Sequence, residues 1–202
     1  MLILGSGGLA LQLIDEFEKA FAEQLVFWND SGPEENIITR KYPLISTDAG
    51  VKEHFEKNGP DFIIAIGGVH NREKLLARFE SLGGSAQTFI ASSASVSKYS
   101  TMEKGVLIST NAILEAGVSV GLATLINTSA VITHECTIGN YNEIAPMATF
   151  GGKAVTGDFV FIGLNATVLP KIRIGAHCTV GAGAVVAKDA ASYTTIKGVP
   201  AK

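Results

Sequence analysis

The chain has 202 residues, of which 47% are hydrophobic, and a formal net charge of −3. This length accommodates one or two domains and buries roughly 70% of the surface that the unfolded chain exposes. No cluster of Lys and Arg stands out, which argues against a nucleic-acid partner. The apolar runs are far shorter than the ~20 residues that cross a bilayer, and the first four residues resemble a strand rather than a signal peptide. We therefore expect a cytoplasmic protein without a membrane partner.

Residues 1 to 88 alternate short apolar strands with helical patterns. The sequence predicts strands at 1–4, 25–28 and 62–66, helices at 9–23, 49–57 and 71–82, and a polar loop over 31–43. Asn71 is placed to cap the last of these helices, and Arg72 is then expected to face solvent. Strands that alternate with helices indicate a small parallel sheet flanked by helices, which is half of a nucleotide-binding (Rossmann) fold.

A period of six residues replaces this pattern from about residue 89. Of the seventeen residues at every sixth place from Ile90 to Val186, sixteen are apolar, and a column of small or β-branched residues stands two places earlier. This period fits neither a helix nor a long strand and is typical of a parallel β-helix. In a repeat such as Cys136-Thr137-Ile138, the first and third side chains should point inward and the second outward. Three repeats, or 18 residues, would then close one triangular coil.

The start of the period sets the predicted domain boundary, with an α/β half-Rossmann domain at 1–88 and a β-helix domain at 89–202. Glycine is frequent at the first corner place of the repeats, where we expect a positive φ. These glycines are Gly121, Gly139, Gly151, Gly157, Gly163, Gly175 and Gly181. Cys136 and Cys178 both fall in the inward column about two coils apart, too distant for a disulfide, so we predict two buried free thiols.

A glycine-rich turn between the first strand and the first helix is the first candidate binding feature. Small residues there let a ligand approach the backbone, and the N-terminus of the helix favours phosphate. The ends of the next strands would lie on the same rim. The predicted ligand-binding residues at this rim are Gly5, Ser6, Gly7, Asn29, Asp30 and Gly67. Because the third glycine of the dinucleotide fingerprint is missing, the turn alone is compatible with a ligand site or with a plain structural turn.

His134 is the second candidate, because it falls in an outward-facing corner of the coil and Glu135 follows it. A carboxylate can hold one ring nitrogen and make the other a stronger base. The spacing by itself leaves open whether this histidine is catalytic or merely exposed. Some β-helix enzymes bind zinc through converging histidines, but His177 lies seven repeats from His134, so we expect no metal.

Five segments together identify a family resemblance: LILGSGG (2–8), FWND (27–30), IAIGG (64–68), INTSAVITHECTIG (126–139) and GVPAK (198–202). Over essentially its whole length the chain resembles the bacterial sugar acetyltransferases of the sialic-acid and bacillosamine group, within the hexapeptide acyltransferase superfamily. These enzymes acetylate a sialic acid or a nucleotide-linked 4-amino sugar. The resemblance implies a left-handed β-helix, a homotrimer, and acetyl-CoA as cosubstrate in the cleft between adjacent coils.

The resemblance also implies roles for single residues. His134 would be the general base that takes a proton from the acceptor, Glu135 would orient it, and the acceptor would attack the thioester directly. A backbone N–H near Gly152 would face the oxyanion, and Asn127 would lie near the acceptor. The residues expected along acetyl-CoA are Glu143, Leu164, Gly181 and Ala182, whereas the glycine-rich rim would bind the nucleotide sugar.

Two positions depart from the family pattern. Leu9 replaces a histidine of the glycine-rich turn, and Glu143 replaces a histidine nine residues after the general base, where a carboxylate would repel a CoA phosphate. The leading prediction is an acetyl-CoA-dependent N-acetyltransferase that acts on a nucleotide-linked 4-amino-deoxy sugar, such as a UDP-4-amino sugar. The alternatives are a sialic acid O-acetyltransferase and a non-catalytic NAD-binding or scaffold protein, the last resting on the Gly5–Asp30 pattern alone.

Overall fold

The computed structural model describes residues 1–22, 24–32 and 35–202. Its N-terminal part is a parallel sheet in the order β3-β2-β1-β4-β5 with helices against it, as the alternating pattern predicted. The strands are β1 (Leu2–Leu4), β2 (Val26–Trp28), β3 (Leu44–Ile45), β4 (Asp61–Ile64) and β5 (Ser85–Ala86). The helices are α1 (Gly8–Phe21), α2 (Ile37–Lys41), α3 (Asp48–Asn58) and α4 (Val69–Ser81).

Several details of this part differ from the prediction, since β3 and β5 lie outside the three predicted strands and two helices begin at unexpected residues. The polar loop contains α2, which begins because the Asn36 side chain accepts the backbone N–H groups of Ile38 and Thr39. Helix α4 begins after Gly68, so Asn71 lies inside it rather than at its cap. The predicted end of the first helix at residue 23, like residue 33 of the loop, falls outside the described residues.

Three parallel sheets form the walls of a triangular prism with the arrangement of a left-handed β-helix. Face I consists of β6 (Phe89–Ile90), β9 (Leu107–Ile108), β12 (Leu125–Ile126), β15 (Glu143–Ile144), β18 (Phe161–Ile162), β21 (Thr179–Val180) and β23 (Thr195–Ile196). Face II consists of β7 (Ser95–Val96), β10 (Ile113–Leu114), β13 (Val131–Ile132), β16 (Thr149–Phe150), β19 (Thr167–Val168) and β22 (Val185–Val186). Face III consists of β8 (Thr101–Met102), β11 (Ser119–Val120), β14 (Thr137–Ile138), β17 (Val155–Thr156) and β20 (Arg173–Ile174).

The inward columns stack into one continuous core. Val131 pairs with Ile113 and Thr149, which lie 18 residues before and after it, so three repeats do close one coil. Cys136 and Ile138 are buried, whereas the intervening Thr137 points outward, and the same alternation recurs along the prism. The two cysteines are buried free thiols, as predicted. Stacked coils therefore bury a column of aliphatic side chains that no single coil could bury alone.

The predicted positive φ at the corner glycines is wrong. The left-handed conformation occurs two residues later in the corner, for example at Glu135 (φ 60°) and Lys153 (φ 64°). The glycines at this place are explained by space, because a Cβ on Gly139, for example, would lie 2.3 Å from the carbonyl oxygen of Gly157 in the next coil. The corners therefore select glycine where successive coils touch, rather than where the backbone turns left-handed.

Arg72, expected at the surface, is fully buried between the two parts of the chain. Its guanidinium donates to the backbone carbonyls of Ile64 (3.0 Å) and Ile66 (2.9 Å) at the end of β4, and to those of Ala123 (2.6 Å) and Gly105 (3.1 Å) on the coil. Burial lowers the pKa of Arg72 to about 10, so the side chain remains a cation at neutral pH. This contact fixes the carboxyl end of the N-terminal sheet against the prism.

Candidate active site

The corners of the coil form edges, and two edges carry all of the residues predicted on the prism except Glu143, which lies on face I. Edge I–II comprises the corners that follow face I, at residues 91–94, 109–112, 127–130, 145–148, 163–166 and 181–184. Edge II–III includes the corners that follow face II, at residues 97–100, 115–118, 133–136, 151–154 and 169–172. Asn127, Leu164, Gly181 and Ala182 lie on edge I–II, whereas His134, Glu135 and Gly152 lie on edge II–III. Within one chain, face II separates these two groups.

His134 and Glu135 form a contact on edge II–III. The His134 Nδ1 atom lies 3.2 Å from Glu135 Oε1, and the Lys153 ammonium lies 3.4 Å from Glu135 Oε2. The bonds from His134 and Lys153 hold the pKa of the Glu135 carboxyl below its ordinary value. An ionised Glu135 accepts a hydrogen bond from Nδ1–H of His134, so the lone pair of Nε2 is free to act as a base. The imidazole ring is half exposed and thus accessible to a substrate.

Gly152 lies directly beside the His134 ring. A Cβ on Gly152 would lie 2.5 Å from both Cε1 and Nε2 of His134, so a larger residue would displace the imidazole. At the equivalent corner place, the Asn140 N–H donates to Asp158, 18 residues later. The residue 18 places after Gly152 is Pro170, which offers no side-chain acceptor, and among the described residues the Gly152 N–H has no partner. An open backbone donor therefore lies next to the candidate base.

Asn127 is held on edge I–II by the N-terminal domain. Its Oδ1 atom accepts the Thr128 backbone N–H (2.9 Å) and the side-chain amide of Gln12 from α1 (2.7 Å). The Gln12 amide also contacts the hydroxyls of Ser109 (2.9 Å) and Thr128 (2.7 Å). The sequence pattern did not single out Gln12, because no local signal joins two residues 115 places apart. Lys153 was also missed, although it stands one 18-residue coil after Glu135 and the register could have indicated it.

The glycine-rich rim forms a cavity of about 280 Å³. It is lined by five of the predicted ligand residues, Gly5, Ser6, Gly7, Asn29 and Gly67, and also by Leu9. Asn29 donates to the Ser6 hydroxyl (2.9 Å), and Gly7 caps α1 without a side-chain acceptor. The first backbone N–H groups of α1 are therefore available to an anion in this cavity.

Asp30 and Glu143 make protein contacts near this rim. The Asp30 carboxylate is absent from the cavity lining and pairs with Arg78 (2.6 Å). The Glu143 carboxylate projects from face I and accepts the Gly68 N–H (2.5 Å) at the start of α4. A Cβ on Gly67 would lie 3.3 Å from both Glu143 carboxylate oxygens, so Glu143 is close to the glycine-rich rim of its own chain. The predicted contacts of Asp30 with a sugar nucleotide and of Glu143 with acetyl-CoA stay predictions.

Neither a metal cluster nor a membrane span is found in the described part of the chain. Over residues 1–22, 24–32 and 35–202, no three or more His, Cys, Asp or Glu side chains are grouped as metal ligands. Over the same residues, every helix is too short or too polar to cross a bilayer.

Two family models match the chain, one on each side of the predicted boundary. The PglD N-terminal domain matches residues 1–79, and the bacterial transferase hexapeptide model (six repeats) matches residues 153–188. The first match covers four of the five strands of the parallel sheet and the glycine-rich rim, and the second covers later coils of the prism.

Several solved structures share the whole architecture of the chain. Two variants of the perosamine N-acetyltransferase of Caulobacter crescentus, each in complex with CoA and GDP-perosamine, are 30% identical to the chain, with TM-scores of 0.90 and 0.91. These matches cover 100% of this chain and 94% of the other. WeeI from Acinetobacter baumannii is 25% identical, with a TM-score of 0.87 and coverage of 100% and 97%.

The acetyltransferase domain of PglB from Neisseria gonorrhoeae, in complex with acetyl coenzyme A, is 24% identical, with a TM-score of 0.89 and coverage of 100% and 97%. This last likeness concerns the fold alone, whereas the perosamine enzyme is similar in sequence over nearly its full length. Together with the two family models and the shared fold, it confirms the resemblance stated from the sequence. The chain belongs to the hexapeptide-repeat sugar N-acetyltransferases that carry a PglD-type N-terminal domain.

Proposed function

We propose that the protein transfers the acetyl group of acetyl-CoA to the amine of a nucleotide-linked amino sugar. The observation that carries this proposal is the physical link between the glycine-rich rim and the prism. The open N-terminus of α1 faces the cavity, and one helical turn later Gln12 contacts Asn127 on edge I–II. The perosamine enzyme with CoA and GDP-perosamine supports this substrate class.

A homotrimer would complete the site, because one chain keeps the two halves on different edges. Edge II–III of one copy placed against edge I–II of the next would bring His134 to Asn127. Both edges border face II, so three copies with face II turned toward a common axis would form three identical clefts. The outward residues of face II suit such packing, since all are uncharged: Ser95, Ile113, Val131, Thr149, Thr167 and Val185.

The chemistry follows from these placements. The sugar nucleotide binds with its phosphates at the N-terminus of α1 and its amine at the cleft. The amine nitrogen forms a bond to the thioester carbonyl carbon while Nε2 of His134, from the neighbouring copy, takes one proton. The Gly152 N–H donates to the oxyanion, and collapse of the intermediate breaks the C–S bond. The imidazolium then returns the proton to the departing CoA thiolate.

The first test replaces the candidate base. In an assay that follows CoA thiol release, His134→Ala should lower kcat by about 10²- to 10⁴-fold, the usual contribution of a general base. His177→Ala is the matched control, because that ring lies on another edge, stacked between Phe159 and Tyr193. Near-normal turnover by a His134→Ala variant that still forms the trimer would refute the proposed mechanism.

The acceptor is tested by binding and turnover in parallel. GDP-, UDP- and dTDP-linked 4-amino sugars, free sialic acid and NAD are compared for CoA release and for their shift of Tm. We expect turnover with one of the nucleotide-linked amino sugars. Acetylation of sialic acid instead would favour the O-acetyltransferase, and a Tm shift with NAD but none with acetyl-CoA would favour a non-catalytic protein.

A further inference from the structure

The orientation of the Asn127 side-chain amide is fixed by a backbone group. The Thr128 backbone N–H can only donate, so the Asn127 atom that receives it at 2.9 Å must be the oxygen. The Gln12 atom at 2.7 Å from the same oxygen must in turn be the NH₂ group. One backbone donor therefore determines the direction of both amides.

The remaining end of Asn127 is an unused donor. Among the described residues the Asn127 NH₂ group has no hydrogen-bond partner, although the side chain is only 8% exposed. It is not one of the unpaired polar atoms sealed from solvent. The NH₂ group thus reaches the surface of edge I–II, where a ligand oxygen can accept from it.

We infer that Gln12 is a positioning residue, which holds Asn127 with its NH₂ group toward an oxygen of the acceptor sugar. The inference rests on the proposed function and adds a residue that acts through Asn127. Gln12 lies one helical turn, about 5.4 Å, beyond the start of α1, where the phosphates of the sugar nucleotide would bind. The same helix then sets both the phosphate site and the direction of the donor on the prism.

Gln12 supplies the second donor to the Asn127 oxygen, in addition to the Thr128 backbone N–H. The hydroxyls of Ser109 and Thr128, 3.1 Å apart, can each donate or accept, so they would tolerate either end of an amide. The NH₂ group of Gln12 cannot accept, and only the oxygen of Asn127 can face it. Without Gln12, one of the two donors that fix the Asn127 oxygen is lost.

The test compares Gln12→Ala, the equally large Gln12→Glu, Asn127→Ala and the double variant Gln12→Ala/Asn127→Ala. Gln12→Ala and Gln12→Glu should each lower kcat/KM for the nucleotide sugar by about tenfold, the contribution of one hydrogen bond, with KM for acetyl-CoA unchanged. Adding Gln12→Ala to Asn127→Ala should cause no further loss, since Gln12 acts through that amide. Gln87→Ala is the matched control, because its amide also contacts three oxygens but lies away from the edge, near Asp61 and Ser85.

Effects of Gln12→Ala and Asn127→Ala that multiply, or wild-type kinetics for Gln12→Glu, would overturn the inference. Wild-type protein that releases no CoA with any amino-sugar nucleotide would instead refute the proposed function. A readout without turnover is available, because Gln12, Gln24 and Gln87 are the three glutamines of the sequence. In ¹⁵N-glutamine-labelled protein, Asn127→Ala should shift the side-chain NH₂ signal of Gln12, and an unmoved signal would contradict the contact.

Discussion

A cleft shared between copies predicts that two chains, each impaired on a different edge, can restore one another. One chain carries His134→Ala and keeps edge I–II intact, whereas the other carries Asn127→Ala and keeps edge II–III intact. In the proposed trimer, each cleft would take edge I–II from one copy and edge II–III from the next. A cleft is therefore intact only where edge I–II comes from the His134→Ala chain and edge II–III from the Asn127→Ala chain.

The proposed homotrimer fixes the expected size of the effect. In a trimer with two chains of one variant and one of the other, only one of the three clefts combines an intact edge I–II with an intact edge II–III. Heterotrimers purified through a different tag on each variant should therefore show about one third of wild-type kcat. The unfractionated population formed from equal amounts of the two chains, homotrimers included, should show about one quarter of wild-type kcat. Each cleft receives an intact edge I–II with a probability of one half and an intact edge II–III with a probability of one half.

The assay is CoA thiol release by co-expressed, doubly purified trimers at saturating substrates. The control is a heterotrimer of two differently tagged His134→Ala chains, which has no intact edge II–III and should stay at the residual rate. If both halves of the site act within one chain, no combination of the two variants contains an intact site. Activity of the mixed trimers at the level of the parents would then refute the shared cleft.

Three further predictions concern stability. Arg72→Met should lower the free energy of unfolding, measured with urea, by about 3 kcal/mol or more, because four buried carbonyls lose their donor. The control Arg40→Met, at an exposed position, should cost less than about 0.5 kcal/mol. A loss below about 1 kcal/mol for Arg72→Met would contradict this prediction. Gly139→Ala should lower the free energy of unfolding by about 1–3 kcal/mol, because the added Cβ would meet the next coil. The control Gly8→Ala should be near neutral, since no atom lies within 4 Å of the added Cβ, and equal losses for the two variants would refute the argument from space. Hydrogen bonds from Lys19 and Ser92 hold the pKa of the Glu16 carboxyl below its ordinary value. The stability that Glu16→Gln removes should therefore be complete above that ordinary pKa and be lost as the pH falls through the lowered pKa, whereas a difference that grows on acidification would contradict the sign.

The prism could be predicted because its signal is repeated. Each coil repeats the same inward columns, so the period remains recognisable even where one repeat departs from it, as the polar Thr156 does in an apolar column. Thr156 is buried and satisfied, since it accepts from the Asn142 side chain (2.6 Å) and from the Gly139 N–H (3.1 Å). The period does not state the φ of each corner place, which depends on contacts with the next coil. The glycine corners were therefore located correctly but explained wrongly.

The position of Arg72 could not be predicted from local pattern. An arginine in the first turn of a helix usually faces solvent, and nothing nearby in the sequence indicates otherwise. It is buried because the packing of α4 on the prism brings the carbonyls of Ala123 and Gly105 against it. Gln12 and Asn127 meet for the same reason, through docking of two parts whose separation along the chain is large. His134 and Glu135 were easier to predict, because adjacent residues in a corner share one edge.

The split of the candidate site follows from the shape of the prism. A narrow edge presents side chains to solvent but cannot enclose a ligand, so a closed cleft on an edge needs a second surface. Face I is covered in its early coils by the N-terminal domain, where Leu107 and Leu125 are fully buried against the domain's core. Face II carries uncharged residues and is bordered by both candidate edges. Had Asn127 and His134 shared one edge, the fold would have favoured a site within a single chain; their places on the two borders of one face instead favour a ring of three.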